Sequence, residues 1–203
     1  INYAPIAIAE PENYEPRANL MWASSWAING FIACGRQCDW SCHPMEHELS
    51  ATYDITHGLG LAILTPRWLE YCLDEVRLPR YVQFGVNVFG IDRNLEPMEI
   101  AKEAIKRLSD FFFKDLALQS NFTEIGIRKE DFAMMAAKAC RDGNINGFKT
   151  LIPYSVSFAA CKFFDVQSVP GFFVEFNSFI GIHIHSEKNI ANFIAISHTT
   201  IMC

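Results

Sequence analysis

The sequence predicts an all-α fold over residues 1–150, and three observations carry that prediction. Apolar residues recur at three- and four-residue steps, helix start and stop signals bracket those stretches, and the composition changes near residue 150. Half of the 203 residues are hydrophobic, enough to bury a core in one large or two small domains. Residues 1–150 carry 15 of the 17 Lys and Arg and 20 of the 23 Asp and Glu, whereas the last 53 residues hold 8 of the 17 Phe. The two parts therefore follow different rules.

Pro16 suits the first turn of a helix running through Leu20, Met21, Ala27, Ile28 and Phe31, with Gly35 as its stop. A second helix is expected from His43-Pro44 to about Asp54, and a third from about His57 to Tyr71 or Leu73. Charged and proline-containing residues up to Pro79 separate it from a helix over Tyr81 to Val88. Pro97 opens a long amphipathic helix whose buried face is Ile100, Ala104, Ile105, Leu108 and Phe112, with Glu99, Lys102, Glu103, Lys106 and Arg107 on the wet face. Lys129-Glu130-Asp131 places acid at the start of a last helix through Phe132, Met135 and Ala139, ended by Arg141 and Gly143. Beyond residue 150, Phe163-Phe164, Phe172-Phe173 and Phe179-Ile180 are strand-like, but few turn signals pin a register, so residues 151–203 read as an irregular tail.

A formal charge of −6 without a Lys/Arg run or aromatic stripe argues against nucleic acid and anionic membranes. The most apolar stretch, Gly171 to Ile184, is short and carries Glu175 and His183, which argues against a membrane span. Seven cysteines, an odd number in a chain too large to need stapling, read as reduced thiols of a cytoplasmic protein. Cys34, Cys38 and Cys42 lack the second pair that structural zinc requires, so they too read as thiols. Gly58-Leu59-Gly60 lacks the third glycine and preceding strand of a dinucleotide fingerprint. Trp22, Trp26 and Trp40 read as helix-packing core in preference to the wall of a substrate pocket. A small-molecule role is the default that is left.

Three of the six histidines fall in one stretch, His43, His47 and His57. Imidazole binds borderline divalent ions and moves protons near neutral pH. Spacing alone puts His43 and His47 on one helix face. It leaves open a bland reading in which His43 lies in the capping region, His47 at the surface or in the core, and His57 at a cap. Glu46, Glu48 and Asp54 are nearby carboxylates, of which only some can converge. His47-Glu48-Leu49-Ser50-Ala51 fails the zinc-protease pattern because residue 51 is not His.

The segment Asn13-Tyr14-Glu15-Pro16-Arg17-Ala18-Asn19-Leu20-Met21-Trp22-Ala23-Ser24-Ser25, together with Gly35 through Trp40, His43 through Ser50 and Asp54-Ile55-Thr56-His57-Gly58, resembles the iron-containing (group III) alcohol dehydrogenases on their butanol dehydrogenase branch. The likeness covers residues 1 to about 150 and none of the tail. It implies the helical C-terminal domain of a protein whose α/β domain binds NAD(P)H, with one divalent ion held by an Asp and three His. By resemblance His43 and His57 are metal ligands, iron being the expected ion and zinc an alternative, and His47 is the catalytic histidine beside nicotinamide and substrate. The resemblance implies a small-molecule alcohol or aldehyde as substrate and a homo-oligomeric parent. The Asp and the first His ligand, with the nucleotide domain, are expected outside this chain, which on its own is expected to be inactive; the tail is expected to reflect a frame change or an artificial chain end. The competing expectation is a non-catalytic helical remnant or interaction module.

Overall fold

A computed structural model describes residues 1–35 and 40–140, and among them every regular element is helical. The order is α1 (Tyr3–Ala9), α2 (Tyr14–Ile28), a 3-10 turn (Phe31–Ala33), α3 (Cys42–Tyr53), α4 (His57–Cys72), α5 (Leu78–Phe89), α6 (Pro97–Asp110), a wide π turn (Phe111–Asp115), a second 3-10 turn (Lys129–Asp131) and α7 (Phe132–Cys140). The all-α prediction holds over this span. The expected tail, residues 151–203, and the stop signals Arg141 and Gly143 lie outside the described residues, as does Cys38.

Helix α4 is the axis of the core. It buries Gly58, the whole run Gly60 to Pro66, Trp68, Leu69 and Cys72, the all-round apolar character of a helix enclosed by others. Pro66 removes one backbone donor from the middle of α4 yet does not end it. Side chains supply donors around that point: Thr65 Oγ1 donates to the Leu61 carbonyl at 2.7 Å and Arg67 Nη1 to the Ile63 carbonyl at 2.9 Å. Arg67 Nη2 also reaches the Ser120 carbonyl at 2.8 Å, pinning the segment after the π turn against α4.

α5 and α6 pack closely against each other, and α6 packs on α4. A Cβ on Gly85 would stand 2.9 Å from Ile100 Cγ2 and 3.1 Å from Ala104 Cβ, so glycine sets how closely these helices approach. Gly90, at φ +63°, ends α5 in the left-handed region, and Arg107 Nη1 donates to the Phe89 carbonyl at 2.9 Å. The buried Tyr81 hydroxyl donates to the Leu69 carbonyl at 2.8 Å and couples α5 to α4.

Two sequence expectations need correction. The first helix does not run to Phe31: Asn29 Oδ1 accepts from the Phe31 amide at 2.9 Å and Gly30 turns to φ +84°, so α2 stops at Ile28. Trp22, Trp26 and Trp40 are not core. They are 67%, 37% and 45% exposed: α2 turns Pro16, Leu20 and Ala27 inward and leaves Trp22 and Trp26 outside, while Trp40 lies in the segment before α3. Trp26 instead packs edge-on against Trp22 and Phe31, with centroids 5.7 and 4.7 Å away. Among the described residues no helix is long and apolar enough to cross a membrane.

Candidate metal centre

The site is an αα-hairpin built from α3, a three-residue connection and α4. α3 begins at Cys42, and Pro44 in its first turn lacks only an amide that the helix would leave unpaired anyway. It ends where Asp54 takes φ +52°, with its amide on the Ser50 carbonyl at 2.9 Å; Asp is among the few residues that tolerate this conformation. Thr56 is extended, and its carbonyl accepts from the amides of Leu59 at 2.9 Å and Gly60 at 3.2 Å, which starts α4 and folds it back on α3. His57, the first residue of α4, is thereby brought against the first two turns of α3.

The structure brings all three sequence-predicted histidines together. Ring centroids lie 5.3 Å apart for His43 and His57, 5.4 Å for His47 and His57, and 6.0 Å for His43 and His47. His47 is exposed and open to a molecule arriving from solvent, while His43 is half-buried with Trp40 edge-on at 4.7 Å. Among the described residues, one donor atom each from Glu46, His47 and His57 lie within 4.8 Å of one another, and His43 stands outside this tightest set. Glu48 is half-buried and Asp54 serves the turn.

Glu46 has no role that its position in the sequence reveals. It is completely buried, with Oε2 on His57 Nδ1 and Oε1 at 2.5 Å from Ser50 Oγ. Ser50 Oγ also stands 3.0 Å from the Ile55 carbonyl, and its single proton serves one of the two acceptors at a time. Glu46 and Ser50 are four apart on a helix, a spacing that marks a shared face but not what that face meets.

The donor set fits a divalent ion. Imidazoles are ligands that borderline metals take, those of His43 and His57 have centroids 5.3 Å apart, and the buried Nδ1 of His43 has no hydrogen-bond partner. Burial, followed by the neighbouring His57 and His47, lowers the His43 pKa from 6.5 to about 4, so this ring is neutral at pH 7, as a ligand must be. The unfolded chain holds that proton more tightly than the folded one. Stability from this residue is therefore complete above about pH 6.5 and lost as pH falls toward about 4. Urea unfolding of the metal-free protein is expected to show a lower midpoint near pH 5 than near pH 7.5; an unchanged midpoint would contradict a buried neutral His43.

Comparison with known proteins is consistent along this span. The family model described as Fe-containing alcohol dehydrogenase family, C-terminal, matches residues 1–152. The chain is 54% identical over 142 residues to NADH-dependent butanol dehydrogenase A of Clostridium acetobutylicum, covering 70% of this chain and 36% of that protein. It is 33% identical over 128 residues to the NADPH-dependent aldehyde reductase YqhD of Escherichia coli, covering 63% of this chain and 32% of that one. The crystal structure of NADH-dependent butanol dehydrogenase A from Thermotoga maritima superposes with a TM-score of 0.70 at 29% identity, over 77% of this chain and 41% of the other. The chain thus spans about a third of the length of these curated relatives.

Proposed function

The chain belongs to the Fe-containing alcohol dehydrogenase family, whose C-terminal domain it carries, and from that premise we propose that it supplies half of the metal centre of an NAD(P)H-dependent alcohol dehydrogenase or aldehyde reductase. The observation that carries this reading is the convergence of His43, His47 and His57 at centroid separations of 5.3–6.0 Å. His43 and His57 are the metal ligands contributed by residues 1–150, with iron as the expected ion and zinc as the alternative. The bound ion would act as a Lewis acid on the alcohol or aldehyde oxygen while hydride passes between substrate carbon and the nicotinamide.

What the chain itself does follows from placement. His57 is carried at the rigid start of a buried helix, and His43 by the first turn of α3. His47, exposed beside them, takes the hydroxyl proton when an alcohol is oxidised and returns it when an aldehyde is reduced. The activities for which the relatives are named, NADH-dependent butanol dehydrogenation and NADPH-dependent aldehyde reduction, support a small primary alcohol or aldehyde as substrate. The ligands expected beyond this chain complete the set, in a cytoplasmic homo-oligomer.

Metal analysis of the full-length protein tests the division of labour. His43→Ala and His57→Ala are expected to lose the ion, whereas His47→Ala keeps it and slows turnover by about 10²–10⁴-fold. Equal metal loss in all three variants would refute the separate role of His47. The 203-residue chain alone is expected to show no alcohol oxidation with added NAD(P) and iron.

A further inference from the structure

We propose that Glu46 is a positioning residue that holds His57 in the Nδ1–H tautomer, leaving Nε2 as the only lone pair that ring offers to a metal. This rests on the reading of His57 as a ligand. Three features carry it. The Glu46 carboxylate is wholly buried and has one oxygen on His57 Nδ1. Its other oxygen is engaged by Ser50 at 2.5 Å, so the group is held at both ends. Gly60 leaves the space that the carboxylate fills, since a Cβ there would lie 2.7 Å from both Glu46 Cγ and Oε1.

A carboxylate accepts hydrogen bonds and donates none, so the ring nitrogen facing it carries the proton. The neutral imidazole then has its lone pair on the other nitrogen. The carboxylate lies over the first turn of α4, where the helix N-terminus favours negative charge, and this offsets part of the cost of burial. Metal-binding histidines commonly donate their second N–H to such an oxygen, and losing that partner weakens metal binding by about 10–100-fold. Glu46 lies within 4.8 Å of His47 too, but its hydrogen bonds go to His57 and Ser50, which leaves the capacity of the exposed His47 for substrate.

Glu46→Met and Glu46→Gln in the full-length protein separate positioning from packing. A methionine fills the slot without an acceptor, and because the partner it leaves, His57, is partly exposed, no buried ion is left unpaired. A merely structural Glu46 therefore predicts a stable Glu46→Met protein with unaltered metal affinity. Positioning predicts a folded protein whose cobalt(II) affinity, read by visible d–d absorption, falls by about 10–100-fold, with Glu46→Gln restoring it to within a few-fold because its amide oxygen still accepts. In the metal-free wild type, two-bond 1H–15N correlation near pH 8 is expected to show His57 protonated on Nδ1 alone. The Glu46→Met protein is expected to lose that preference. A wild-type His57 protonated on Nε2, or unchanged cobalt(II) affinity in folded Glu46→Met, overturns the proposal. Failure of the wild type to bind cobalt(II) overturns the ligand reading instead, and the tautomer result still decides what Glu46 does.

Discussion

Gly60→Ala is expected to destabilise the metal-free protein by about 2–4 kcal/mol, against the usual gain for this substitution in a helix. Alanine in place of glycine within α4 should by propensity alone stabilise by about 1 kcal/mol. The new methyl, however, would occupy space 2.7 Å from Glu46 Cγ and Oε1 and 3.1 Å from Cδ. Moving the carboxylate aside draws it away from Ser50 and His57, and a buried charge stripped of its partner costs about 3–5 kcal/mol. The difference gives the expected loss, to be read from urea unfolding midpoints. The signature that identifies the cause is the double variant: truncating the intruding partner with Glu46→Ala in the Gly60→Ala background should recover part of the loss, a coupling that independent sites lack. Gly60→Ala at wild-type stability or above would mean the slot is not filled as described.

Phe112→Ala carries the largest expected effect outside the site, a loss of about 3–5 kcal/mol, which is a large share of the stability of an ordinary domain. Phe112 is 1% exposed in the π turn that follows α6, with Phe111 and Phe113 rings at 5.7 and 6.3 Å. Its carbonyl accepts from the Leu118 amide at 3.1 Å, which fixes the backbone where the chain leaves α6 around the buried ring. Truncation leaves a void that a turn fixed on both sides cannot collapse to fill. A thermal or urea midpoint within the scatter of the wild type would contradict that account.

Much of this architecture is legible in the sequence. The expected helices at His43 to Asp54, at His57 to Tyr71 or Leu73 and from Pro97 correspond to α3, α4 and α6 within a residue or two, because their periodicity and end signals agree. α1 gives no such signal: Tyr3–Ala9 is short and uncharged, carries Pro5 in its first turn and is followed by Pro11, with no pattern longer than two turns. α5 starts three residues before the expected Tyr81, since Pro79 belongs to its first turn rather than to the connection. The tryptophans show a different limit. A four-residue repeat defines a face, but only the packing of neighbours decides whether that face is inside. At the site, chemistry and spacing together with the family resemblance pick out the three histidines. Glu46 reads only as a nearby carboxylate, since its partner His57 lies across a turn whose geometry depends on Asp54 entering the left-handed region. Gly60, part of an incomplete dinucleotide pattern in the sequence, has its meaning only in what it leaves empty.

The short connection between α3 and α4 has a kinetic consequence. Every donor described at the centre comes from between residues 43 and 57, so the contacts that assemble it are local in the chain. Closing a loop of about ten residues takes on the order of 10–100 ns, far faster than the docking of distant segments. Low contact order of this kind favours early formation. The hairpin is therefore expected to form before segments distant in the chain dock on it, which would place the three imidazoles side by side at an early stage of folding.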